Sequence, residues 1–210
     1  MDQAWARRRF RLFDTENLIQ VPAEDEDLLA ELERITEVRP VKEGDILMTP
    51  GETPQDVLFL AEGITRCFFL DDRGQEHTDC FGGQYNLPLM PSGALGEPSS
   101  VTLEVMEAGI ILAIPVYLIK EEARFYPEIQ NIIYQLLAES ARANAEIRKV
   151  LYLYDARQRF EWFVTRFPDI SKHVRQKYAA SFLNMTAETY CRIKKEYEGN
   201  AAKQRQGLTT

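Results

Sequence analysis

The sequence predicts an α+β protein in three parts: an N-terminal double-stranded β-helix (jelly-roll), one long helix, and a C-terminal all-α helix-turn-helix. Three observations predict it. From Val38 to Pro115, short β-rich runs are punctuated by Gly, Pro and Asp, which is the pattern of a roll or barrel. From Pro127 to Tyr154, apolar and small residues recur at alternating spacings of four and three, the pattern of a packed helical seam. From Gln176 to Tyr197 the chain reads QKYAASFLNMTAETYCRIKKEY, two short helices around a tight turn.

The elements follow in order. Arg7, Arg8, Arg9 and Arg11 form a basic cluster that reads as a solvated face. Residues 23–37 read as a helix with acidic residues in its first turn, suited to the helix dipole, and an apolar stripe of Leu28, Leu29, Leu32 and Ile35. Six strand-like runs come next: 45–48, 57–63, 64–70, 76–81, 101–106 and 109–114. Pro50-Gly51, Glu62-Gly63 and Asp71-Asp72-Arg73-Gly74 act as turns between them, the last closing a hairpin over 64–81. Pro115 suits the first turn of a helix reaching about Tyr126. The seam of the long helix is Ile129, Ile133, Leu136, Ser140, Ala143, Ile147 and Val150. Its length, roughly 40 Å at 1.5 Å per residue, and the sustained heptad spacing point to pairing with a second copy of the chain; the alternative is a long helix packed on the chain's own β-domain. Asp155 is a natural N-cap for a helix whose Phe160, Phe163, Val164 and Phe167 share a face, with Pro168 ending it. The expected domains are 1–126, 127–154 and 155–198, with a polar, disordered tail over 199–210.

Charge is divided along the chain. The protein carries -8 in all. Residues 155–210 hold 11 Lys and Arg against 6 Asp and Glu, a balance of +5, leaving -13 on residues 1–154. A basic end on an acidic body supplies phosphate-neutralising charge where the two short helices lie. No run of some 18 apolar residues marks a membrane span, and the first residues lack the apolar stretch of a secretory signal. Cys67, Cys80 and Cys191 are too few and too scattered for a disulfide framework or a zinc site, which suits a reducing cytoplasm.

Within Gln176–Tyr197, Ala179, Ala180 and Leu183 allow close helix crossing. Asn184 tolerates the left-handed turn conformation, and Thr186 caps the second helix. Tyr190 and Ile193 face inward, which leaves Glu188, Thr189, Arg192, Lys194 and Lys195 outward. An arginine there can bind guanine through two hydrogen bonds, and a glutamate can accept from cytosine.

A β-roll, a long helix and a C-terminal helix-turn-helix in that order resembles the Crp/Fnr superfamily of bacterial transcription regulators. The stretches that carry the resemblance are EGDILMTPGETPQDVLFLAEGITRCFFLDDRGQEHT at 43–78 and YAASFLNMTAETYCRIKKEY at 178–197. It implies a sensor roll, a dimerisation helix and a DNA-reading unit built on Thr186, Ala187, Glu188, Thr189, Arg192, Lys194 and Lys195. Glu188 and Arg192 match the family's base-reading pair. Ala187 stands where many members place a further Arg. No strand-like run follows Tyr197, so the wing is reduced or absent. The implied partners are double-stranded DNA with a near-palindromic operator, a second copy of the chain and, for activators, RNA polymerase.

The resemblance also implies a cyclic-nucleotide pocket, and the residues argue against its use. Family members that bind cAMP place Gly-Glu and Arg followed by a hydroxyl residue in a phosphate cassette; the matching positions here are Leu87-Pro88 and Ser99-Ser100. No Lys or Arg lies between Arg73 and Lys120. Burying a cyclic phosphate without a cationic partner is costly, so weak or no binding of cAMP and cGMP is expected. Tyr85, Asn86, Ser92, Ser99, Ser100 and Thr102 remain as polar candidates for another effector. No cofactor or metal is expected. Four clustered cysteines for an iron–sulfur centre are lacking, and His77 and His173 read as surface residues rather than haem ligands. An enzyme on a roll would need a cluster of metal ligands that the strands do not carry. The alternative to a DNA reader is a ligand-binding module whose C-terminal helices contact a protein. Cys67 and Cys80 lie on opposite arms of the 64–81 hairpin, leaving a redox pair or two free thiols as alternatives.

Overall fold

The computed structural model describes residues 26–82 and 97–207, the last seven as backbone. Helix α1 (Glu26–Arg34) leads into strands β1 (Glu37–Val41), β2 (Ile46–Met48), β3 (Asp56–Leu70), β4 (Glu76–Gly82) and β5 (Thr102–Pro115). Helices α2 (Val116–Glu122), α3 (Glu128–Leu153), α4 (Ala156–Arg166), α5 (Pro168–His173), α6 (Gln176–Phe182) and α7 (Ala187–Gly207) complete the chain. The α+β order agrees with the sequence reading. No helix among the described residues is long and apolar enough to cross a membrane.

The strands form one antiparallel sheet in the order β1-β5-β3-β4, with β2 also paired to β5. Four of the expected short strands merge into two long ones. Glu62-Gly63 does not end a strand. It is a bulge within β3, where the register against β5 shifts repeatedly between Leu60 and Thr65. Glycine is required on both strands at this crossing. Gly63 has φ 94°, and a side chain on it would meet the Glu107 carbonyl at 2.6 Å. A side chain on Gly109 would lie 1.9 Å from the Glu62 carbonyl. Beyond the bend the sheet folds back on itself: Leu58 and Cys67, from the two halves of β3, share a core with Leu103, Val105, Ile111 and Ala113 of β5. Strand β1 lies before the first of the expected runs, and it contains Pro40. The structure accommodates it on the sheet's edge, where a missing N–H is tolerated.

The outer face of the sheet is covered in two halves. Val57, Phe59, Leu112 and Ile114 pack against α1, α2 and the start of α3. Ile64 and Phe81 pack against the C-terminal helices. This corrects the dimer-seam expectation. Ile129, Leu136, Ala143, Ile147 and Val150 are buried within the single chain, and Ile133 and Ser140 are half-buried. Ile129, Ile133 and Leu136 pack on the sheet, and Ile147 joins the C-terminal core. The periodicity marked a buried stripe correctly, but the surface that buries it is the chain's own.

The expected disordered tail is corrected too. Helix α7 continues through Gly199 to Gly207, so no strand follows the reading unit among the described residues.

Candidate nucleic-acid interface

Helices α4 to α7 are held by an aromatic core. Phe160, Phe163, Phe167, Phe182 and Tyr190 are all nearly or fully buried. Phe160 meets Tyr190 edge-on at 5.2 Å, and Phe163 lies 5.6 Å from Phe182. Asp155 caps α4 as expected, in a reciprocal capping box with Gln158. Trp162 is partly buried, and its indole N–H donates to Glu146 at 3.1 Å.

The turn between α6 and α7 is a Schellman motif. Met185 N–H donates to the Ala180 carbonyl and Asn184 N–H to the Ser181 carbonyl, each at 3.0 Å. Asn184 takes the left-handed conformation, φ 49°. The Arg159 guanidinium crosses from α4 to donate to the Asn184 carbonyl at 3.2 Å, fixing the turn from behind. Thr186 then caps α7, accepting from the Thr189 N–H at 3.2 Å.

This geometry sorts the side chains of α7. Tyr190 and Ile193 are buried, and Glu188, Arg192 and Lys195 are exposed along one stripe at i, i+4 and i+7. Ala187 is exposed; Thr189 and Lys194 are half-buried on the flanks. The Glu188 carboxyl is held below the usual value by its own backbone N–H and the Thr186 hydroxyl, so it is poised as an acceptor. Arg192 pairs with Glu196 at 3.0 Å and Lys194 with Glu198 at 3.9 Å. These exposed pairs hold the long side chains loosely, since solvent screens them.

The reading unit is docked on the sheet by contacts without a local sequence signal. Arg66 of β3 is fully buried and pairs with Glu76 at 2.7 Å and Glu104 at 3.5 Å. Its guanidinium lies 3.8 Å from the Tyr178 ring of α6 and 4.4 Å from the Phe68 ring. Its Nη2 has no hydrogen-bond partner among the described residues, and the rings offer the cation π-density instead. Thr78 N–H donates to the Ser181 hydroxyl at 2.9 Å. Phe81 meets Phe182 edge-on at 5.5 Å.

Of the expected effector residues, Tyr85, Asn86 and Ser92 lie outside the described residues. The buried Ser99 hydroxyl is spent on the Val101 carbonyl at 2.8 Å. Ser100 is exposed and Thr102 is buried. A groove of about 350 Å³ is lined by Arg39, Met48, Glu52, Gln55, Asp56 and Leu58 among others, and the Ser99 N–H donates to the Glu52 carbonyl in its wall at 2.8 Å. Arg39 is already paired there with Asp56 at 2.6 Å. No group of three or more metal-ligating side chains occurs among the described residues.

No protein-family model matches the chain, and no curated protein matches its sequence. Solved structures do match its fold. FixK2 from Bradyrhizobium japonicum is 13% identical, with TM-score 0.69 over 80% of this chain and 86% of that one. The c-di-GMP responsive global regulator CLP from Xanthomonas campestris is 14% identical, with TM-score 0.64 over 84% and 93%. The catabolite activator protein of Thermus thermophilus is 18% identical, with TM-score 0.52 over 86% of each. These are Crp/Fnr regulators. At such identities the likeness establishes architecture: roll, long helix and helix-turn-helix together make this a protein of Crp/Fnr-type fold.

Proposed function

We propose that the protein is a homodimeric, sequence-specific DNA-binding regulator. One observation carries this reading: a capped helix, seated by a Schellman turn on a buried aromatic core, presents Glu188, Arg192 and Lys195 outward on one stripe. Arg192 reads guanine, Glu188 accepts from cytosine N4, and Lys195 anchors a phosphate. Lys194 and Thr189 support the flanks of the same contact. The sensor, dimer-helix and reader domains divide near residues 126 and 154.

The second copy sits on the face of α3 that the chain leaves open. Tyr134 is 74% exposed and Tyr152 82%. Leu137, Ala141 and Ala145 are exposed between them on the same stripe, opposite the buried one. Two such stripes bury apolar area without displacing any contact of the monomer, and the alanines permit close approach. Exchanging Leu137 for Glu then yields monomers in sedimentation; a persistent dimer would move the interface elsewhere.

The roll is not a cAMP receptor in this reading. Arg66, the nearest buried cation to the former cassette in sequence, has its guanidinium committed to Glu76, Glu104 and Tyr178. Calorimetry should show no micromolar affinity for cAMP.

Selecting genomic fragments with the purified protein tests the function. The expected product is a near-palindrome with half-sites about 34 Å apart. Fragments without a shared sequence would overturn the reading in favour of a protein partner.

A further inference from the structure

Cys67 and Cys80 are directly paired across β3 and β4. Opposed residues of an antiparallel pair project to the same face, with Cα atoms about 4.5 or 5.5 Å apart according to the hydrogen-bonding pattern. Both separations fall within the span that a disulfide bridges. The register shifts immediately after Cys67, so that Phe68 faces Thr78 and Asp79 is left over. Such a bulge bends the strand and increases the local right-handed twist. Cys67 is buried in the roll core, and Cys80 is partly exposed at its edge.

The neighbours of this pair are the anchors of the reading unit. Arg66, stacked on Tyr178, precedes Cys67. Thr78, bonded to Ser181, and Phe81, packed on Phe182, flank Cys80. Any change of twist between the two cysteines moves all three.

We infer that Cys67 and Cys80 form an oxidisable dithiol whose closure to a cross-strand disulfide resets the docking of the reading unit. A hydroperoxide is the oxidant. The thiol of Cys80, the less buried residue of the two, takes one peroxide oxygen, giving a sulfenic acid and releasing an alcohol or water. The Cys67 thiol displaces water from that sulfur, forming the S–S bond. Two electrons pass from the thiols to the peroxide, and both thiol protons leave in the released alcohol and water. The adjacent Cys67 sulfur and burial push the Cys80 thiol up.

The link to DNA rests on the proposed function; the disulfide does not. Cys191→Ser removes the third thiol and isolates the pair. After hydroperoxide treatment, mass spectrometry should show loss of two hydrogens (about 2 Da, the balance of a disulfide) and a linked Cys67–Cys80 peptide. Dithiothreitol should reverse both. Operator affinity of the oxidised form should fall about five-fold or more and recover on reduction. The Cys80→Ala and Cys67→Ala variants, of which either suffices, should keep their affinity under peroxide. Absence of the linked peptide would overturn the site. A linked peptide with unchanged operator affinity would overturn the coupling. If the reduced protein selected no DNA, only the proposed function would fail, and the linked peptide would still decide the site.

Discussion

The two halves of the sheet's outer face are covered in different ways. Against α1 to α3, contact is made by Val57, Phe59, Leu112 and Ile114, all apolar and all nearly fully buried. Against the C-terminal helices, the apolar Ile64 and Phe81 are joined by directional contacts: a buried cation on an aromatic ring, one backbone N–H on a serine hydroxyl, and the edge-on pairing of Phe81 with Phe182. Apolar packing is non-directional and grows with area. Hydrogen bonds and ring stacking depend on distance and angle. The first half therefore behaves as permanent core. The second fixes the orientation of the reading unit while leaving it sensitive to small shifts in β3 and β4.

Breaking the apolar half should cost most. Phe59→Ala is expected to destabilise the whole chain by about 3–5 kcal/mol, read as a lower denaturation midpoint for sheet and helices together. Selective loss of the reading unit would contradict the division into halves.

The reading unit's own core gives a pH test. Burial pushes the Tyr190 hydroxyl up to about 12 from an ordinary value of 10. The unfolded chain loses this proton first, so stability is full below about pH 10 and falls as pH rises toward 12, by about 2–3 kcal/mol. Tyr190→Phe should flatten that part of the pH–stability curve.

At the joint, Arg66→Met leaves Glu76 and Glu104 without their cation, but both carboxylates reach solvent. A loss of about 2 kcal/mol is expected, below that for a fully buried broken pair. It should come with weaker operator binding, because Tyr178 loses its stacking partner. Unchanged binding at reduced stability would make Arg66 structural only.

On the outward side, Arg192→Ala should remove about 1–3 kcal/mol of specific binding and leave the melting temperature unchanged. The smallest effect is expected at Thr186→Ala, about 1 kcal/mol from the lost cap, measured by denaturation with Thr186→Asn as the rescuing control.

Much of the reading unit was legible in the chain because its signals are local. Asn184, Thr186 and Asp155 are named by the turn and cap chemistry of their immediate neighbours, and each plays that part. The extension of α7 was legible too but outweighed: residues 201–206, AAKQRQ, are strong helix formers, although their polarity suggested a tail. The merging of strands was half visible. Gly63 marks the bend, but its need for Gly109 is a relation between positions 46 residues apart in number, about which neither neighbourhood says anything.

Periodicity and local chemistry are written along the chain: the roll's strand-forming runs, the long helix with an apolar stripe, and the reader with its outward Glu188, Arg192 and Lys195. Which surface each stripe meets is set by long-range packing. It spent Ile129, Leu136 and Ile147 on the chain's own folds, left Tyr134 and Tyr152 open, and set Arg66 against Tyr178. The physical reason is that periodicity specifies a face to be buried, while the identity of its partner depends on long-range packing that no local pattern encodes.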